Sequence, residues 1–140
     1  MTTLAQRAMA AGWQWSIGHR CIAVYIDGRT DINRGTVIAV EPLPLVHWDE
    51  PIGDGRGSER YYDHIRGHHP TEHLLPDFEH PETALSLLVQ VRRAYGDVGA
   101  FACHAEMLRS WGCWREGGDA RYASGYTETE ALVAALEAAP

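Results

Sequence analysis

The sequence predicts an α+β fold, an antiparallel sheet of about four to six strands with helices packed on it. Three observations carry that reading. Apolar residues recur at helical spacing over 81–95 and 128–139, each stretch framed by start and stop signals. Between them Phe101, Cys103, Ala105 and Met107 alternate with more polar neighbours, the period of strands half buried against another layer. Earlier in the chain, the β-rich runs 21–26 and 35–40 lie on either side of an Asp27-Gly28 turn signal. The 140 residues are expected to form one domain, with a His- and Gly-rich irregular insertion at about 46–75.

The elements follow in order. Thr2 or Thr3 opens a short helix with Gln6 as a capping partner; Leu4, Ala8 and Ala11 give it an apolar face, and Gly12 ends it. Trp13 and Trp15, two apart, are expected on one side of a strand, as core or as an aromatic clamp. The runs 21–26 and 35–40 then form a hairpin or meander, which Pro42 and Pro44 terminate.

The second half is the more regular. Pro81 suits a first helical position, because its missing N–H would be unpaired there anyway. Ala84, Leu87, Leu88, Val91 and Tyr95 form one stripe, which Leu85 and Ala94 widen. Arg92 and Arg93 complement the helix dipole in the last turn, and Gly96 supplies a left-handed stop. Gly117-Gly118-Asp119 is a hairpin turn. Thr127 and Glu130 make a capping box for a last helix that buries Leu132, Ala135, Leu136 and Ala139.

Net charge is −7, from 19 acids against 12 cations, every one of them arginine. That balance disfavours direct nucleic-acid binding, whose footprint is basic and clustered. An arginine-only set fits a GC-rich coding sequence. No apolar run reaches the roughly 18 residues of a membrane span, and the first residues lack a basic-then-apolar leader pattern. Cys21, Cys103 and Cys113 are odd in number and have no C-x-x-C spacing, so reduced, buried thiols in a cytosol are expected. Cross-strand proximity would still allow Cys103 and Cys113 to pair.

Candidate chemistry concentrates between 46 and 75, which holds five of the eight histidines. Asp63, His64, His68, His69 and His73 are the residue types that a divalent transition metal prefers. Gly67 and Pro70 interrupt any shared helical face, however, and the spacing is neither HExxH nor a finger pattern, so an exposed His-rich loop is the plainer reading. The glycines from Gly53 to Gly57 lack the phosphate-loop spacing. Cys103 and His104 are adjacent in a strand and point to opposite faces, which argues against a nucleophile–base pair. No catalytic residue stands out.

Three pieces taken together carry a resemblance: Gly12-Trp13-Gln14-Trp15-Ser16-Ile17-Gly18 after the opening helix, Leu75-Pro76-Asp77-Phe78 leading into the Leu-rich helix, and the closing run from Gly125 to Pro140. They resemble a group of small phage and prophage accessory proteins over about 80 residues at the two ends. The chain departs from that pattern from His47 to His73. The resemblance implies origin more than activity: an accessory protein of a temperate phage or mobile element. With the small size, the acidity and the absence of catalytic motifs, it fits a non-enzymatic protein that binds a host protein, an anti-defence inhibitor of the anti-CRISPR kind being one version. Asp49, Glu50, Asp54, Glu59 and Asp63 are the acids expected to meet a basic partner surface. A metal-dependent hydrolase using the His-rich segment is one alternative. Another is a small-ligand binder with Trp13, Trp15 and Trp111 lining a pocket. Exposed edge strands would also permit a homodimer.

Overall fold

The computed structural model describes residues 2–25, 32–41, 44–49, 59–61 and 72–140, with backbone alone at 25, 32, 59–61, 72 and 73. The chain divides into two compact units. One comprises residues 1–14 and 84–140, the other residues 15–83. The α+β class holds, with three helices and two antiparallel sheets among the described residues. No described helix is long and apolar enough to cross a membrane.

The unit of residues 15–83 is a five-stranded sheet. Its strands are β1 (Arg20–Tyr25), β2 (Ile32–Ala39), β3 (Leu45–Trp48), β4 (Glu59–Tyr61) and β5 (Glu72–Pro76), in the order β4-β3-β2-β1-β5. The expected hairpin is β1–β2, registered by Cys21 opposite Gly35 and Ala23 opposite Asn33. The segment expected to be irregular contains three strands, a correction to the sequence reading. β3 continues the meander, β4 adds to it, and β5 returns to pair with β1 through Cys21–Pro76 and Ala23–Leu74. Short strands among Pro, Gly and His carry little periodicity of their own, and the partner of β5 is remote in sequence. Pro76 closes β5 on the sheet's edge, where a missing N–H is tolerated.

Alternation gives this sheet one apolar face. Cys21, Ala23, Val37, Val46, Trp48 and Leu74 form a buried cluster against which Trp15 and Val40 pack. Residues 13–16 form no strand; they lie between the turns at 11–12 and 17–18. Trp13 is buried in the unit of residues 1–14 and 84–140, and Trp15 belongs to the core of the other unit. The expected aromatic pair on one strand face is therefore absent.

The unit of residues 1–14 and 84–140 holds α1 (Leu4–Ala10), all but the first turn of α2 (Pro81–Tyr95), β6 (Phe101–Ala105), β7 (Ser110–Trp114), β8 (Arg121–Gly125) and α3 (Glu128–Ala138). Both expected capping boxes form, Thr3 with Gln6 and Thr127 with Glu130. Gly96 takes a positive φ of 62° directly after α2, the left-handed stop its sequence position predicts. β6, β7 and β8 make a three-stranded antiparallel sheet, with Gly117 and Gly118 turning β7 into β8. α3 packs along this sheet and buries Ala131, Leu132, Val133, Ala135 and Leu136, a wider face than the stripe its spacing predicts; Ala139 is half-buried. The α1–α3 packing is joined by Arg7, whose Nε donates to both carboxylate oxygens of Glu137 at 3.2 Å.

Candidate functional site

Among the described side chains of the five-stranded sheet, Arg20 and Arg34 stand on the face opposite the core, and each is paired within its own unit. Arg20 Nη1 donates to Thr36 Oγ1 and to Asp49 Oδ1, each at 2.8 Å, and Nη2 reaches Asp49 Oδ2. This fork holds the Asp49 carboxyl below its ordinary value. Arg34 Nη1 donates to Asp77 Oδ2 at 2.9 Å, and Asp77 Oδ1 accepts the Glu79 N–H. Asp49, the first of the acids expected to meet a partner, is thus tied to a cation of its own unit. Glu50, Asp54 and Asp63 lie outside the described residues, and Glu59 is described only by its backbone, opposite His47 in register.

The metal candidates fare similarly. Asp63, His64, His68 and His69 lie outside the described residues, and His73 is a backbone position in β5 opposite Val24. Among the described residues, no group of three or more His, Cys, Asp or Glu could hold a metal ion. Cys103 and Cys113 are both free thiols. Their register, Cys103 opposite Gly112 and Cys113 opposite Ala102, puts them on opposite faces of one sheet. Cys103 is exposed beside an exposed His104, whereas burial pushes the Cys113 thiol up to about 11. Trp111 is half-buried, its ring 5.5 Å from that of His104 across the strand pair.

The surface feature that the fold does build lies on α2. Its buried stripe is Leu87 and Val91, joined by Gln90, which exchanges two hydrogen bonds with the Gln14 backbone. Two residues past Leu87 the helix has turned by about 200°. Val89 therefore faces away from the stripe, as do Leu85 one turn earlier and Gly96 at the helix end. Leu85 is 64% exposed and Val89 52%. Val98, just beyond the helix, is 86% exposed. Val89, Arg92, Arg93, Gly96 and Val98 line a groove of about 450 Å³, within the range of ordinary ligand pockets.

Two valines and two arginines thus share the lining of the groove. Arg92 is half-buried, and its Nε donates to the Ala100 carbonyl at 2.8 Å, which fixes its guanidinium against the chain entering β6. Arg93 is exposed. Neither forms an ion pair among the described residues.

The acid nearest in sequence, Asp97, is turned to other work. Its carboxylate accepts the Tyr122 hydroxyl at 2.8 Å and the Glu116 and Gly99 N–H groups at 3.1 Å. The Tyr122 hydrogen bond, first among these causes, holds the Asp97 carboxyl below its ordinary value and pushes Tyr122 up to about 12. Tyr122 in turn stacks on Tyr95, with ring centroids 3.9 Å apart, and Tyr95 donates to the Ala135 carbonyl. The loop from Gly96 to Ala100, and with it Val98, is thereby fixed against the sheet and α3.

Spacing alone does not disclose this groove, because by count Leu85 widens the core stripe. The signal was there in principle. A helix with Leu85 and Val89 four apart on one side and Leu87 and Val91 four apart on the other has more apolar surface than one neighbour can cover.

No family model, curated protein or solved structure matches this chain. The groove therefore stands on its own geometry.

Proposed function

We propose that the chain is a protein-binding accessory module that captures an acidic, apolar segment of a host protein in the α2 groove. The observation that carries this reading is a pair of arginines without carboxylate partners among the described residues, set beside exposed Leu85, Val89 and Val98. In a chain of net charge −7 most of the surface repels an acidic segment, and this groove is a local exception. An amphipathic segment fits best, with apolar residues on Val89 and Val98 and a carboxylate at Arg92 or Arg93. The phage and prophage resemblance supports a host partner, and an anti-defence inhibitor is one form this would take.

The test uses the tagged full chain in bacterial lysate beside Val89→Glu and Arg93→Glu. Each variant adds negative charge to the groove at an exposed position and leaves the core untouched. Loss of one captured protein with both variants, followed by mapping of the retained contact to an acidic, apolar peptide of that protein, supports the reading. Capture that both variants leave unchanged, or a mapped peptide that is basic, refutes it.

A further inference from the structure

The three-stranded sheet has two edges, and they are not alike. β8 carries Arg121, and opposite Cys113–Trp114 its register shifts, a local irregularity of the kind that discourages further pairing. β6 reads Phe-Ala-Cys-His-Ala, with no arginine, acid or proline, and it pairs with β7 in unbroken register. Its outward N–H and C=O groups have no backbone partner among the described residues. Cys103 and His104 are exposed along it. An undefended edge of this kind is a template for another strand.

The flanks of β6 indicate which strand. Before it stands Val98, 86% exposed; after it stand Met107, 99% exposed, and Leu108, 68% exposed. We propose that β6 pairs antiparallel with β6 of a second copy about a two-fold axis at Cys103, giving a six-stranded sheet across the dimer. In that register Phe101 meets Ala105 and Ala102 meets His104. Beyond the strand the chain is not extended: Val98 stands in the turn before β6, and Met107 and Leu108 in the short 3-10 helix Glu106–Leu108 after it. Antiparallel pairing therefore brings the exposed Val98 end of one copy toward the exposed Met107–Leu108 end of the other. Within the paired strands no charge opposes another, which is what two copies of net charge −7 require if they are to approach. This interface is isologous, as closed dimers are. It rests on β6 and its flanks, of which Val98 also lines the α2 groove, and sedimentation reads self-association whether or not that groove holds a host segment.

The experiment is sedimentation of the full chain under reducing conditions over a concentration series, with Cys103→Lys beside it. Lysine at the two-fold axis opposes its own copy and should weaken the dimer by about tenfold or more while circular dichroism is unchanged. In parallel, oxidised glutathione serves as oxidant for the reduced wild type. One Cys103 thiolate attacks it and releases glutathione; the second copy's thiolate attacks the mixed disulfide and releases another. A covalent dimer should form, and it should be absent from Cys103→Ser, because Cys21 and Cys113 are buried. A concentration-dependent dimer that Cys103→Lys dissociates and glutathione links supports the proposal. A chain that stays monomeric throughout overturns it. So does a dimer that the lysine leaves intact and glutathione fails to link.

Discussion

The two sheets treat charge and apolar surface in opposite ways. The five-stranded sheet buries one face as a cluster around Val37, Val46 and Trp48 and pairs its charges on the other, Arg20 with Asp49 and Arg34 with Asp77. The unit built on β6–β8 leaves Arg93 exposed, Val89 and Val98 in an open groove, and Met107 and Leu108 at a hairpin tip. A sheet face whose described arginines, Arg20 and Arg34, are already paired offers a partner little that it would not first have to break. The other unit exposes surface that folding has left unused. The difference separates stability from recognition. Residues of the first kind should answer to denaturant, and residues of the second kind to binding.

The sharpest way to break this division is to truncate one side chain of each kind. Trp48 is 2% exposed, and Trp48→Ala should lower stability by about 3–5 kcal/mol in a urea titration. Val89→Ala should change it by no more than about 0.5 kcal/mol. Equal losses would mean that Val89 is core and the groove is not a free surface.

Gly35→Ala is a smaller intrusion on the same core. A Cβ there would lie 2.7 Å from Val46 Cγ1, 2.8 Å from the His47 carbonyl oxygen and 3.0 Å from the Trp48 ring. The carbonyl cannot yield without shifting β3. A loss of about 1–3 kcal/mol is expected, and no change in the urea midpoint would show that the β2–β3 pair is looser than described.

Acid should act on the same unit in two windows. Burial holds the His19 imidazole below its ordinary 6.5, and its Nδ1 accepts the Ser16 N–H at 3.0 Å, so the folded chain keeps it neutral. The unfolded chain then binds the proton first. This contribution is complete above pH 6.5 and is lost as pH falls from there through the folded value. Asp49, lowered from 3.8 by Arg20, follows the same sign but loses its contribution only below that value. Urea midpoints should therefore fall between pH 7 and pH 5 in the wild type and stay flatter in His19→Asn, whose amide oxygen can still accept from Ser16. An equal fall in both would remove His19 from the account.

What was legible in the sequence was local. The capping boxes at Thr3–Gln6 and Thr127–Glu130, the stop at Gly96 and the Gly117-Gly118 turn each declare themselves within a few residues, and all of them form. β3, β4 and β5 do not: β3 and β4 are too short to show a period of their own, and β5 takes its order from a partner far along the chain, Leu74 lying opposite Ala23. The Trp13–Trp15 spacing suggests a strand by its period of two, whereas the chain crosses from one unit to the other between them. The groove stayed hidden because Leu85 looks like core when counted and is 64% exposed when folded. Of the acids and metal candidates that the sequence singles out between 46 and 75, Asp49 alone has a described side chain; its carboxylate accepts from Arg20 and its N–H donates to the Arg34 carbonyl.

The most direct measurement is hydrogen–deuterium exchange on the full chain, free and in complex with the host protein it captures. New protection over residues 85–98, with the backbone around Arg20, Arg34 and Asp49 exchanging as before, is the result this account predicts. Protection confined to the five-stranded unit, with 85–98 unchanged, would contradict it and move recognition to the sheet whose charges are already paired.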